Sequence, residues 1–343
     1  MHEVRPVRII VAAALLASVS LAGGAAPVTG NPFDLSITAL VALDQEQGDQ
    51  AVPSVDSDAT ARSHPEWVHR VEAATWPGML TGMDGFDDFV EPVGMPLYFE
   101  DPFIRSDIRL IYIYHSIPHA SVLRGGKAQV AAAPIRIALT DRLALLAYKD
   151  GYSWTDTGIT QKGDGWNDLG IGLKYAFYVD HPNQTIFSGG LKWELENGTT
   201  RALQGSEQEL APFVSFAKGW DKWHILAAMT GRCPLNRHRA NYSLVWNLHL
   251  DYKLTETFRP LVELHGIHWL SDADRLPISE DYLDVGSLGA SQAKGRDFFS
   301  AGVGFRWEIV DNVNFGVTYE FPLESKSEHL QDYRFTFNTV IRF

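Results

Sequence analysis

Tyr333-Arg334-Phe335-Thr336-Phe337-Asn338-Thr339-Val340-Ile341-Arg342-Phe343 ends the sequence, and Phe335, Phe337, Thr339, Ile341 and Phe343 share one face of it. Successive side chains of a strand point to opposite sides, so a period of two writes one greasy face and one polar or small-residue face. The same pattern runs backward from here. Phe299, Ala301, Val303, Phe305, Trp307 and Ile309 alternate with Ser300, Gly302, Gly304, Arg306 and Glu308. Tyr242, Leu244, Trp246, Leu248, Leu250 and Tyr252 alternate with Ser243, Val245, Asn247, His249, Asp251 and Lys253. Leu169, Ile171, Leu173, Tyr175 and Phe177 alternate with Gly170, Gly172, Lys174, Ala176 and Tyr178. Ile108, Leu110, Tyr112 and Tyr114 alternate with Arg109, Ile111, Ile113 and His115.

From Arg105 to the end these segments predict about 12 strands, an even number suited to a bacterial barrel. They fall at 105–116, 127–139, 143–154, 167–178, 185–196, 208–218, 222–231, 240–254, 258–269, 297–309, 313–321 and 331–343. Connections alternate in length. Short turns sit at Thr140 to Arg142, Asp180 to Gln184, Gly219 to Asp221, Thr255 to Thr257 and Val310 to Asn312; longer polar loops sit at 117–126, 155–166, 197–207, 232–239, 270–296 and 322–330. Short turns on one side and long loops on the other are the habit of an outer-membrane barrel, and only closed sheets or helices satisfy all backbone groups in lipid. The expected fold is therefore all-β: a closed antiparallel transmembrane β-barrel over 105–343, preceded by a short irregular and helical segment. Its terminal strand, with Phe337, Ile341 and Phe343 on one face, resembles the signal read by the barrel-assembly machinery.

Rings collect near the predicted strand ends. Tyr112, Tyr114, Tyr152, Trp154, Trp269, Tyr319 and Tyr333 fall toward the long loops; Phe177, Trp223, Tyr252, Phe258, Trp307 and Phe343 fall toward the short turns. Two belts match two membrane interfaces, with outer-membrane lipids as the partner. Trp246, in mid-strand, fits neither belt.

The N-terminus reads as a secretory signal peptide over 1–26. Arg5 and Arg8 precede the apolar run Ile9 to Ala17, and small residues follow around Ala22 and Ala25. No later apolar stretch is long enough to cross a membrane as a helix. Residues 27–104 read as a linker followed by a periplasmic or plug-like segment. Within it Ser63 and Glu66 have capping-box spacing before a helix from Pro65 to about Ala74, and 79–104 is rich in Gly, Pro and rings without a period.

Net charge is −13, which disfavours nucleic-acid partners. Cys233 stands alone, so no internal disulfide forms. If the greasy face meets lipid, the other lines a lumen. There the pattern places Arg109, Arg136, Lys149, Lys174, Lys192, Glu194, His249, Asp251, Lys253, Glu263, His265, Arg306, Glu308, Glu320 and Arg334. Charges of both signs can pair across a narrow lumen and plug it, or flank a pore. Strand glycines such as Gly170, Gly172, Gly302 and Gly304 either leave room for a ligand or serve close packing.

Catalysis and cofactors find little support. His268 and Ser271 supply residue types for a lipid hydrolase, but no G-x-S-x-G elbow is present. Neither the His115/His119 nor the His265/His268 pair has metal-cluster spacing, and the acidic loop Asp272, Asp274, Glu280, Asp281, Asp284 reads as a solvated loop before a calcium contact. No catalytic, metal or cofactor residue is assigned.

From about Pro92 onward the sequence resembles a family of outer-membrane transporters labelled "MetA-pathway of phenol degradation". The resemblance rests on Gly165 to Tyr175, Leu210 to Phe213, His249 to Tyr252, Val262 to Leu264, Gly302 to Arg306 and Tyr319 to Leu323. It implies an outer-membrane barrel for small, hydrophobic or aromatic solutes and carries over no catalytic residue. The expected function is such a channel, with the loop 270–296 over its outer mouth. The alternatives are a structural or surface-interaction barrel with a plugged lumen, and an outer-membrane lipid hydrolase. Oligomeric state is not legible.

Overall fold

The structure, a computed structural model, describes residues 64–159, 162–200, 207–279, 281, 284, 286–324 and 329–343. The signal expected over 1–26, the linker up to residue 62, and Ser63 lie outside the described residues.

Fifteen strand segments form one antiparallel sheet that closes on itself. They are β1 (Asp107–Ile117), β2 (Gly126–Ala132), β3 (Ile135–Ala138), β4 (Leu143–Tyr148), β5 (Tyr152–Thr157), β6 (Gly163–Trp166), β7 (Gly170–Asp180), β8 (Thr185–Glu194), β9 (Glu209–Trp220), β10 (Trp223–Pro234), β11 (Ser243–Tyr252), β12 (Phe258–Trp269), β13 (Asp297–Val310), β14 (Val313–Pro322) and β15 (Tyr333–Arg342). Closure comes from β1 pairing with β15, in register from Asp107↔Arg342 to Ser116↔Tyr333. Because β2/β3, β4/β5 and β6/β7 are each one stave broken once, the barrel has twelve staves. Closure removes the sheet edges that would otherwise expose unpaired N–H and C=O groups.

The three breaks are neighbours in the wall, and each has a local cause. Pro134 has no N–H for the ladder. Lys149 (φ 54°) and Gly151 (φ 107°) leave the strand region. Asp168 closes the third break by accepting the N–H groups of Asn197 and Gly198. Side chains stitch the gaps: Asp150 accepts the Ala133 N–H at 3.1 Å, and Asn197 accepts the Leu169 N–H at 2.8 Å. Period-two reading ran the first two of these staves through as unbroken strands, because a break moves backbone bonds without disturbing the alternation on either side; it placed β6 in the loop 155–166 and began the third of these staves at 167.

At the tight turns, Asp221 (φ 52°) and Asn312 (φ 66°) take left-handed backbone, which short polar side chains tolerate. Helix α1 (Glu66–Ala74) forms as expected, while Ser63 of the expected capping box lies outside the described residues. Pro65 sits at the N-cap, and no side chain bonds there. Among the described residues no helix is long and apolar enough to cross a membrane.

Burial is inverted relative to a water-soluble sheet. On β7 the Leu173 side chain is 49% exposed, while its neighbour Lys174 is 0% exposed. Ile171, Tyr175, Phe177, Val214, Met229, Val262, Val303 and Trp307 also face outward and exposed, whereas Lys192, His249, Glu263, Arg306 and Arg334 face inward and buried. Two expectations need correction. Trp269 belongs to no outer belt; it points inward and is buried. The inner face is not uniformly polar either. Ile111, Ile113 and Ile117 of β1 point inward and pack with Val130, Leu288 and Leu330. The inner face of β1 thus mixes these isoleucines, covered by loop residues, with Asp107, Arg109 and His115.

Candidate functional site

The interior is occupied by the chain's own residues 79–104. Pro92, Pro96 and Pro102 keep this segment from continuing a helix or a strand. Its rings and Met95 form the centre of the buried core: Phe86, Phe89, Tyr98, Phe99 and Phe103 are all buried. An irregular backbone at this depth is tolerated only where protein groups satisfy it. The wall supplies those groups. Glu263 accepts the N–H of Val93 at 2.9 Å and of Gly94 at 2.7 Å. Arg306 donates to the carbonyls of Glu91 (2.9 Å) and Pro92 (2.8 Å). Lys192 donates to the Leu97 carbonyl, Thr230 and Asn247 to Tyr98, and Ser188 to Pro102. Gly94 permits the closest approach, since a Cβ there would lie 2.6 Å from a Glu263 oxygen and 2.7 Å from His265 Nε2.

Among the described residues, Glu100, Glu91 and Arg334 are the centres of three of the charged clusters that join this plug, or the loop 270–296, to the wall. In the first, Glu100 is held by Arg136 through a two-pronged contact (2.9 and 3.0 Å), by Lys174 at 3.0 Å and by Lys192 at 3.0 Å. Beside it Asp101 meets Arg109 at 2.5 Å and Lys174 at 3.4 Å. In the second, Glu91 meets Arg342 at 2.6 Å and Arg105 at 3.3 Å. In the third, Arg334 meets Asp284 of the loop 270–296 at 2.6 Å, with Glu320 at 3.9 Å and His115 at 3.3 Å.

A chain of imidazoles and carboxylates lies next to Glu263. His249 Nδ1 is 2.8 Å from Glu263, and its Nε2 is 3.2 Å from Asp251; His224 contacts the other Asp251 oxygen at 2.8 Å. His265 Nδ1 lies 2.8 Å from the Asn247 side-chain oxygen. Glu194 pairs with Lys149. Thus Arg109, Lys174 and Lys192 come together on one pair of plug carboxylates, while His249, Asp251, Glu263 and His265 form a second group. Arg306 grips plug backbone, and Glu320 and Arg334 meet the outer loop. Glu308 stands at the β13 bulge, its N–H bound to the Thr257 carbonyl. Lys253 reaches the plug's Asp88 at 2.9 Å. Phe337 and Ile341 point outward on β15, and Phe343 stacks on Trp67 of α1 at 6.1 Å.

The plug partners Glu91, Glu100 and Asp101 escaped the sequence reading. A signal was present: residues 79–104 hold six carboxylates and no lysine or arginine, against a wall face rich in cations. The strand glycines are sockets for side chains. A Cβ on Gly170 would meet the Tyr148 ring at 2.4 Å, and one on Gly190 the Phe213 ring at 2.7 Å. Beside Glu100 the lumen keeps a crevice of about 10 Å³, room for a single water.

The hydrolase pairing does not assemble. Ser271 accepts the Tyr242 N–H, while His268 is held by Asp297 and by the Trp246 indole. Trp246 lies on the outer face over Gly266, where a Cβ would strike its ring at 2.3 Å. The acidic loop is not wholly solvated as expected: Asp281 and Asp284 are buried, Asp281 accepts from Ser287 and Gly289, Asp274 contacts His238, and Glu280 lies outside the described residues.

Burial alone would raise the Asp284 carboxyl, but Arg334 outweighs it and holds that group below the ordinary aspartate range. A depressed carboxylate stabilises the folded form above its unfolded value, about 3.9, and loses that contribution as pH falls toward the folded value. The loop anchor is therefore intact at neutral pH. Hydrogen exchange at 286–296 should quicken roughly tenfold in Asp284→Asn at pH 7. Wild type should show such quickening only below about pH 4. Equal exchange in both proteins would remove Asp284 as the anchor.

No protein-family model matches the sequence, and no curated protein matches it. Solved structures do. A COG4313 outer membrane channel from Pseudomonas putida F1 superposes with a TM-score of 0.54 at 12% identity, covering 74% of this chain and all of that one. The KdgM porin (TM-score 0.40, 11% identity, 69% of this chain and 99% of that chain) also matches. So does a TodX mutant, a monoaromatic hydrocarbon channel (0.38, 10%, 69% and 88%). What the chain shares with the first of these is the fold. The chain is a closed twelve-stave antiparallel β-barrel with an apolar outer face.

Proposed function

We propose that this protein is an outer-membrane channel for small solutes with an apolar body, of the kind grouped under the phenol-degradation label, and that residues 79–104 are its plug. One observation carries the reading: a closed barrel with exposed apolar side chains outside and buried charged side chains inside. In water such an outer surface would be far larger than the apolar patches soluble proteins carry, and in lipid it is the expected one. Residues 1–26 then direct export, outer-membrane lipids surround the wall, and Arg109, Lys174, Lys192, Glu194, His249, Asp251, Glu263, His265, Arg306, Glu308, Glu320 and Arg334 line the path. Planar-bilayer conductance and liposome swelling test it. Stepwise current or solute-dependent swelling is expected. A pure, heat-modifiable barrel that gives neither favours the second reading, a structural barrel, which the density of plug contacts supports.

The terminal face also makes a prediction. If the barrel-assembly machinery reads Phe337, Ile341 and Phe343, then Phe343→Ala should lower the outer-membrane yield several-fold. Trp67→Ala removes the same ring stack without touching the terminus. An equal loss in both variants would assign the effect to packing and not to recognition.

A further inference from the structure

Resting on the channel reading, we infer that Arg109, Arg136, Lys174 and Lys192 form a carboxylate-binding site for the solute, which the plug's own Glu100 and Asp101 fill when the channel is closed. The solute class is then an organic acid: one carboxylate on a small apolar or aromatic body.

Charge count is the first ground. Four cations converge where the wall itself offers one carboxylate, Asp107, at 3.0 Å from Arg109 and 3.5 Å from Arg136. The nearest other wall acid on β8, Glu194, is taken by Lys149. A buried cation without a counter-charge is costly, so a wall bearing this surplus is built to hold anions supplied from elsewhere. In the closed form the plug supplies them, and its stretch 79–104 contains no base that would contribute otherwise.

Shape is the second ground. Arg136 meets both oxygens of Glu100 in the planar two-pronged arrangement that guanidinium makes with carboxylate, while Lys174 and Lys192 cap one oxygen each. A structural pair needs one such partner; this carboxylate has three. The third ground is the surroundings. Lys192 lies 5.0 Å from the Tyr148 ring centre and 5.3 Å from that of Phe213. On the wall side the crevice beside Glu100 is lined by Ile111, Pro134 and Tyr148 as well as by Arg109 and Arg136. An anion seated on the cations would place its apolar body against these side chains once the plug segment has moved.

Planar bilayers holding the full-length protein, with benzoate and its neutral isostere benzamide as probes, test the inference. Millimolar benzoate should raise the time-averaged current by displacing Glu100 and Asp101, benzamide should not, and the reversal potential in a potassium chloride gradient should report anion preference. The double variant E100Q/D101N should conduct without benzoate, with roughly tenfold more current than wild type. Lys174→Met should blunt the benzoate response. Equal action of benzamide and benzoate, or cation preference, would overturn the proposal. Should the double variant fail to fold, the wild-type comparison of the two probes decides alone. Equilibrium binding of labelled benzoate to the detergent-solubilised protein separates this idea from the channel reading. Saturable binding lost in Lys174→Met without any current sinks only the channel. Current without benzoate binding sinks only the carboxylate site.

Discussion

Arg306→Met should turn a closed barrel into a leaking one. Arg306 donates to two plug carbonyls, Glu91 and Pro92, and its Nη1 donates to the side-chain oxygen (3.0 Å) and the carbonyl (3.3 Å) of Asn338. Methionine fills similar space and donates nothing, so both carbonyls lose their partner inside the lumen. Leaving a buried carbonyl without its donor costs about 1–3 kcal/mol, and here two are left so. The barrel wall keeps its ladder, because Arg306 pairs through its backbone with Arg259 and Gly316 whatever its side chain. The cost therefore falls on plug docking, and at ~1.4 kcal/mol per decade it shifts the docked-to-undocked ratio by about a thousandfold. The variant should keep its heat-dependent gel mobility and show frequent, long openings in planar bilayers. Arg306→Lys should fall between the two, since one ammonium cannot span both carbonyls as the guanidinium does. A folded Arg306→Met barrel as quiet as wild type would mean that the plug is held without this residue.

Val303→Arg should abolish or strongly reduce folding into lipid. Val303 is exposed at mid-β13, flanked across the ladder by Val262 and Tyr319, which are exposed as well. An arginine on the lipid face at the bilayer midplane costs about 2–4 kcal/mol. The control is Leu323→Arg, equally exposed but past the end of β14, where the cost should be about 0.5 kcal/mol or less. Urea titration of protein refolded into vesicles measures both. If Val303→Arg were harmless, or improved solubility in plain buffer, the outer face would not be meeting hydrocarbon.

The wall was legible because its rule is local. On β7, β11 and β13 alternation alone sorts each residue onto one of two faces, and a slip of one residue would invert every one of them. Lys174, His249 and Arg306 could be placed inside on that ground alone. The same locality hid two of the stave breaks, since Pro134 and Gly151 interrupt backbone pairing without changing the apolar order around them, and the short β6, rich in glycine and polar residues, was read as loop. Trp269 was misplaced, and the apolar character of Ile111 and Ile113 on the inner face went unexplained, because their cover comes from loops that the alternation does not describe.

By itself, then, the sequence determined that the chain forms an antiparallel barrel of about twelve staves, which side chains turn inward, and that those inward side chains are charged with both signs. Only the tertiary structure decided what those charges face. Val93 and Gly94 meet Glu263 across 170 and 169 residues of sequence, and Glu100 meets Lys174 across 74. The physical reason is that the plug has no repeating period. Its path follows from which wall groups satisfy its carbonyls, amides and carboxylates, and those partners become neighbours only when the barrel closes around them.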